Sequence, residues 1–165
     1  MRQGTLSTAT MVVLFLLLVH ISAGHTQAGT ITGQVSLTDK KGVVVYGDWV
    51  RVFLTTEPVD IPAVDLTSAV IPWERQSLIN AGHMEFFANF RQKQSQPGYA
   101  AEDKLTRPDG TFTFNRIPAG RYYVVITFPT MIAGFKCAWQ MAVDMVGGQS
   151  VHVDLNNDNL AIPAY

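Results

Sequence analysis

The residues of this 165-residue chain whose types could do chemistry are few: four histidines, one cysteine, some spaced carboxylates and a set of aromatics. His83 lies on the apolar stripe of a helical pattern, where an imidazole can ligate a metal or haem. No Cys-x-x-Cys-His is present, so covalent haem attachment is excluded, and a hydrogen-bonded, partly buried histidine is the favoured reading. His152 alternates with valines and so points away from the core, as a surface residue. Cys137, the single cysteine, excludes an intramolecular disulfide and any multi-cysteine metal site. It falls in an apolar alternation and reads as a buried small hydrophobe rather than a reactive thiol.

Asp154-Leu-Asn-Asn-Asp158 spaces oxygen ligands like the start of a calcium loop. Asn159 stands at the sixth position, however, and Tyr165 at the twelfth, where a bidentate carboxylate is required. A polar terminal turn is the better account. Glu74 and Glu85 lie eleven residues apart on one predicted helix, roughly 16 Å along its axis, against roughly 5–10 Å for a glycosidase pair. No G-x-S-x-G motif or phosphate-binding loop occurs. What remains is surface: Trp49, Arg51 and Phe53 on one strand face, and Trp73, Phe86, Phe87 and Phe90 in a helical segment. Docked on each other, these aromatics are structural. Exposed, they form a patch of the kind that takes a protein partner or a sugar.

The elements that must position these residues follow from composition and pattern. The length suits one domain. Hydrophobic residues make up 47% of the chain and charged residues 15%, too apolar for a disordered chain. The formal charge of −1, without a basic cluster, argues against a nucleic-acid or anionic-membrane partner. Arg2 precedes the apolar run Met11–Val19, which is too short to span a bilayer. Small residues follow at Ser22, Ala23, Gly24 and Ala28, the pattern of a secretory signal peptide over residues 1–28, with Ala28 the favoured cleavage site. The chain beyond it, 29–165, keeps all 13 acids and 11 of the 12 bases. Such an exported chain, without disulfides, must be held by core packing.

That chain reads as strands interrupted once. Period-two alternation marks Thr30–Thr38, Trp49–Thr55, Thr111–Phe114, Arg121–Phe128, Phe135–Met145 and Val151–Leu155, with a short strand at Val43–Tyr46. Turns are signalled at Asp39–Gly42, Pro108–Gly110, Ile117–Gly120 and Gly147–Gly148. Short strands separated by turns indicate an antiparallel sandwich. The interruption, residues 56–107, is too long for a plain loop. Its Pro-rich start reads as an extended surface segment, and Pro72 to about Lys93 as a helix with Ile79, His83, Phe86 and Phe90 on one stripe. Gly82 in its middle costs about 1 kcal/mol relative to alanine, which leaves open whether the helix is one piece or two.

Ile31-Thr-Gly-Gln-Val35, Val50-Arg-Val-Phe-Leu54, Asp109-Gly-Thr-Phe-Thr-Phe114, Ile117-Pro-Ala-Gly-Arg-Tyr-Tyr123 and Gly147–Leu155 follow the order seen in carboxypeptidase regulatory-like domains, which the chain resembles. The resemblance implies an all-β fold, a seven-stranded antiparallel transthyretin-like (prealbumin-like) sandwich, here carrying a helical insertion. It also implies a non-catalytic accessory module of exported or cell-surface proteins, and it fixes no ligand. It covers roughly 30–54 and 108–155 and leaves the insert outside. Transthyretin-like enzymes that hydrolyse a purine breakdown product end in Tyr-Arg-Gly-Ser, which the Ala-Ile-Pro-Ala-Tyr165 terminus lacks.

The expectation is an exported, non-enzymatic protein-binding or assembly module of the cell envelope, periplasmic or extracellular. Its partner would be another exported or envelope protein, with no cofactor, no metal, no nucleic acid and no membrane contact after signal cleavage. A carbohydrate-binding module is the alternative.

Overall fold

The computed structural model describes residues 27–164. Of the signal peptide read over residues 1–28, residues 1–26 lie outside the described residues, as does Tyr165.

Where apolar side chains alternate, strands form. β1 (Gly29–Thr38) buries Ile31, Val35 and Leu37 on one face and leaves Thr32, Gln34 and Ser36 half-buried on the other. It is flanked by β10 (Ser150–Leu155) on one side, and on the other by β5 (Thr111–Ile117) and then β2 (Val44–Tyr46), a four-stranded sheet. A second sheet runs β11-β9-β6-β3-β4, from β11 (Leu160–Ile162) through β9 (Ala138–Met145), β6 (Gly120–Ile126) and β3 (Arg51–Thr55) to β4 (Ala100–Leu105). A small hairpin pairs β7 (Met131–Ile132) with β8 (Phe135–Lys136).

The β-sandwich with a helical insertion is therefore as expected, and two details differ. Nine strands form the two sheets rather than seven, because the insert contributes β4 and the C-terminal segment contributes β11. Every pairing is antiparallel except β1 with β10, which runs parallel from Thr30–Ser150 to Val35–Leu155. The Asp109-Gly110 turn behaves as its residue types require. Asp109 Oδ1 accepts from the Thr111 N–H and hydroxyl, and Gly110 takes φ 76° where a Cβ would meet Val35 O at 2.3 Å.

Three layers result. Between the sheets lie Ile31, Leu54, Phe114, Val124, Trp139 and Leu155, each under 1% exposed. On the outer face of the five-stranded sheet lies the helix α1 (Pro72–Gln94). It begins with Pro72, and Glu74 Oε2 accepts from the Val70 and Ile71 N–H groups that precede it. Its stripe of Ile79, His83, Phe86 and Phe90 packs with Val125, Ala138 and Ile162 of the sheet. Burying a side chain of Ile or Phe size is worth about 1.5–3 kcal/mol, so the stripe suffices to dock the helix.

Of the two alternatives left open at Gly82, the helix takes the continuous one. A Cβ there would lie 2.5 Å from Val64 Cγ2, so the missing side chain is what lets the Val64 segment approach the helix, while its 3.6 Å to Ile162 Cγ2 would be ordinary contact. The Pro-rich segment before the helix is held beneath it. Gln140 brackets Val59 with both amide atoms, at 2.6 and 3.0 Å, Asn89 donates to Asp60 O and Lys93 to Pro58 O.

Candidate functional site

β3 alternates as its sequence requires: Val52 and Leu54 enter the sandwich, while Arg51 and Phe53 face the helix side. Phe53 meets Phe90 at 4.6 Å between ring centroids. Beside them β6 ends at Ile126 and passes into Thr127 to Thr130, bringing Phe128 edge-on to Phe87 of the helix at 5.7 Å. β4 lies on the other flank with Asp103 opposite Phe53, and its carboxylate takes a charged hydrogen bond from Arg51. Helix, strand ends and loop enclose a cleft of about 600 Å³ whose walls include Trp49, Arg51, Phe53, Phe87, Phe90 and Phe128. This lies within the roughly 300–1,000 Å³ of small-ligand sites, which pair aromatic walls with a few placed polar groups.

Five of the seven residues expected at a contact surface thus line one cleft. Trp49 does so by an unexpected route. It is not on the face of β3 with Arg51 and Phe53, because the strand begins only at Arg51. Trp49 occupies the preceding turn at φ 54° and is 69% exposed. Phe86 is wholly buried between helix and sheet, so no partner can reach it. Trp73 stands at the other end of the helix, 63% exposed, beside a shallow depression with Ala69 and Leu78.

Sequence reasoning missed Phe128, Thr127, Asp103, Arg91 and Gln94 as neighbours of the cleft. Only recognition of β4 as a strand against β3 would have placed Asp103 beside Arg51. The cleft is balanced in charge, with Asp48 and Asp103 against Arg51 and Arg91; Asp103 pairs with Arg51, and Arg91 donates to Gln94 Oε1 at 3.0 Å. Thr127 lines it, 5% exposed, with a hydroxyl that has no protein partner.

The other candidate groups are occupied structurally. His83, 1% exposed, has Nε2 3.2 Å from Pro163 O, and burial pulls its pKa below the usual imidazole value. His152 is exposed, between Thr32 Oγ1 at 3.0 Å and Asp154 Oδ1 at 2.9 Å. Cys137 is buried, its thiol pushed up to about 11 by desolvation. In the Asp154–Asp158 segment the polar atoms serve the turn. Asn156 Oδ1 accepts from Asp158 N–H, Asn159 donates to Asp154 O, and Asn157 Oδ1 accepts from Thr38 N–H. Among the described residues no three or more His, Cys, Asp or Glu side chains gather to hold a metal ion. No helix among them is long and apolar enough to cross a membrane.

No family model and no curated protein matches the chain. Among solved structures it is similar to a candidate carbohydrate-binding protein of Pseudomonas aeruginosa, at 18% identity and TM-score 0.44, over 79% of this chain and 88% of that one. It is also similar to the minor pilin GBS52 of Streptococcus agalactiae, at 12% identity and TM-score 0.45, over 79% of this chain and 44% of that one. The major pilin SpaD of Corynebacterium diphtheriae aligns at 14% identity and TM-score 0.42, over 79% of this chain and 30% of that one. The chain spans less than half the length of either pilin.

Proposed function

We propose that the protein is an exported, non-catalytic binding module of the carboxypeptidase regulatory-like kind, and that its cleft holds a stretch of neutral saccharide. One observation carries the reading: Trp49, Phe53, Phe87 and Phe128 converge with the Arg51–Asp103 pair and Gln94 on a single cleft. Aromatic faces cover the C–H faces of a sugar ring, and paired planar side chains take its hydroxyls. Balanced charge favours a neutral ligand over an acidic one. Among the described residues the lining holds no His, Cys, Ser or Glu, and of its two carboxylates, Asp48 and Asp103, the latter is engaged by Arg51, which supports holding rather than transforming the ligand.

The first expectation, attachment to another exported or envelope protein, is favoured by a different observation. Val70, Ile71, Trp73 and Leu78 are all exposed around the start of α1. The readings separate by pull-down on insoluble cellulose, chitin and starch, followed by titration with the soluble hexasaccharide of whichever is retained. Saccharide binding is expected to weaken about tenfold in Trp49→Ala and to stay unchanged in Trp73→Ala. Retention on none of the three, or loss only in Trp73→Ala, overturns the cleft reading.

A further inference from the structure

We infer that Thr106, which is not a wall of the cleft, is the positioning residue that holds Trp49 in its ligand-facing posture. The inference rests on the cleft reading above. Trp49 is a bulky aromatic in the left-handed region, at φ 54°, and 69% of it is exposed. Such a conformation is an outlier for a large side chain, and burial of the ring does little to compensate for it. It persists only if the chain on both sides is fixed. Thr106 provides that fixing. Its hydroxyl donates to Gly47 O and accepts from the Val50 N–H at 2.8 Å, and its own N–H donates to Val50 O at 2.9 Å. One buried side chain, 2% exposed, thereby closes the turn Gly47–Val50 from both ends, and the residue left inside that turn is displayed outward. The far side of Gly47 is tied as well, its N–H donating to Val35 O at 2.9 Å.

A hydroxyl has one hydrogen to give and lone pairs to receive, and here both capacities are used on the two ends of one turn. Valine has the same shape and neither capacity. Thr106→Val therefore leaves Gly47 O and Val50 N–H without their partner. The turn then relaxes toward negative φ at residue 49, and the indole swings from the cleft. Thr106→Ser keeps both hydrogen bonds. If Thr106 merely stabilises the fold, its loss lowers stability but leaves the affinity of the folded molecules unchanged.

The test uses the full chain and the soluble hexasaccharide of the retained polysaccharide, with affinity referred to the folded fraction and the three indole N–H signals followed by NMR. Trp49→Ala is expected to weaken binding about tenfold, the equivalent of one stacked aromatic face. Thr106→Val should weaken it by a similar factor and shift the Trp49 indole signal, Thr106→Ser should stay within about twofold, and the double variant should bind no worse than Trp49→Ala. Wild-type affinity in folded Thr106→Val, or a double variant whose losses multiply, overturns the inference while leaving the cleft reading intact. No effect of Trp49→Ala itself overturns the cleft reading and the inference with it. Should Thr106→Val fail to fold, hydrogen exchange of the wild-type Val50 amide decides: saccharide is expected to slow it, because the ligand stabilises the clamped turn by linkage. Unchanged exchange in saturating saccharide overturns the inference.

Discussion

Gly82→Ala isolates what the insert does to the sandwich, because two effects of known size oppose each other at one atom. In a helix interior the change is worth about 1 kcal/mol in favour of alanine. Against it, the new Cβ would lie 2.5 Å from Val64 Cγ2, where carbons normally rest at about 3.5–4.0 Å. Roughly 1 Å must therefore be found. Val64 cannot swing freely, being β-branched, and its segment is tied down through Val59, Asp60 and Pro58. Overpacking of this kind costs about 1–3 kcal/mol, so the single variant should be destabilised by a net of about 0–2 kcal/mol. Removing the obstructing methyl with Val64→Ala should reverse the sign. In that background Gly82→Ala should regain about 1 kcal/mol, a coupling of about 1–3 kcal/mol in a double-mutant cycle. Urea unfolding followed by circular dichroism, with m-values checked for constancy, measures all four proteins. If Gly82→Ala alone stabilises by the full propensity gain, or adds independently to Val64→Ala, the segment before the helix does not pack against it at Gly82. The account of the continuous helix then fails.

Two further outcomes follow from other residues. At position 49 the usual order of alanine and glycine should invert. Relief of a left-handed residue is worth about 1–2 kcal/mol and the extra freedom of unfolded glycine costs about 0.4–1, so Trp49→Gly should be the more stable by about 0–1.6 kcal/mol. Both variants should bind saccharide about tenfold more weakly, and a Trp49→Ala protein as stable as Trp49→Gly would contradict the turn geometry. His83 carries a pH dependence. Its folded pKa is depressed, first by burial, with Pro163 O opposing and Lys136 adding to the depression. The neutral ring is thus the folded form, and its stability is fully present above the ordinary value of 6.5 and is lost as pH falls below it. Unfolding free energy measured from pH 7.5 to 5 should decline in the wild type and flatten in His83→Phe, whereas parallel curves would contradict the assignment.

The parts of the fold that were legible in the sequence are those whose two faces differ. β1 shows its inner Ile31, Val35 and Leu37 against outer polar residues, and α1 shows its stripe, so both could be placed within a residue or two. β4 could not be placed, because Ala100–Leu105 is almost entirely exposed and has no period to read. It is a strand through its ladder to β3 alone, and backbone hydrogen bonds leave no signature in residue type. The site divides along the same line. Helical spacing put Phe86 on the stripe and Phe87 beside it, yet spacing cannot say what covers either, so both stood among the expected contact residues. One is sealed against the sheet and the other borders the cleft, and the difference is made by Phe128, some forty residues later in the chain.

Where the cleft lies follows from how far the helix reaches. The N-terminal half of the helix stripe sits over the β11 side of the sheet, with Gly82 near Ile162 and His83 bonded to Pro163 O. Its C-terminal half sits over β3, with Phe90 on Phe53. Crossing obliquely in this way, α1 leaves one corner of the sheet bare, where β3 begins at Arg51 and β6 runs out toward Thr127. That corner carries Trp49, Phe87 and Phe128, none of which is fully buried by the fold. Phe53, half-buried, joins them with one side packed and the other turned to the cleft, while Phe90, 1% exposed, backs it from the core. Truncating either would cost folding free energy as well as contact and could not separate the two roles. The discriminating substitutions are therefore at the rim, at Trp49 and Arg51, where exposure is high. The surface ion pair of Arg51 with Asp103 contributes about 0–1 kcal/mol to stability, so a large loss of affinity there would report recognition rather than folding.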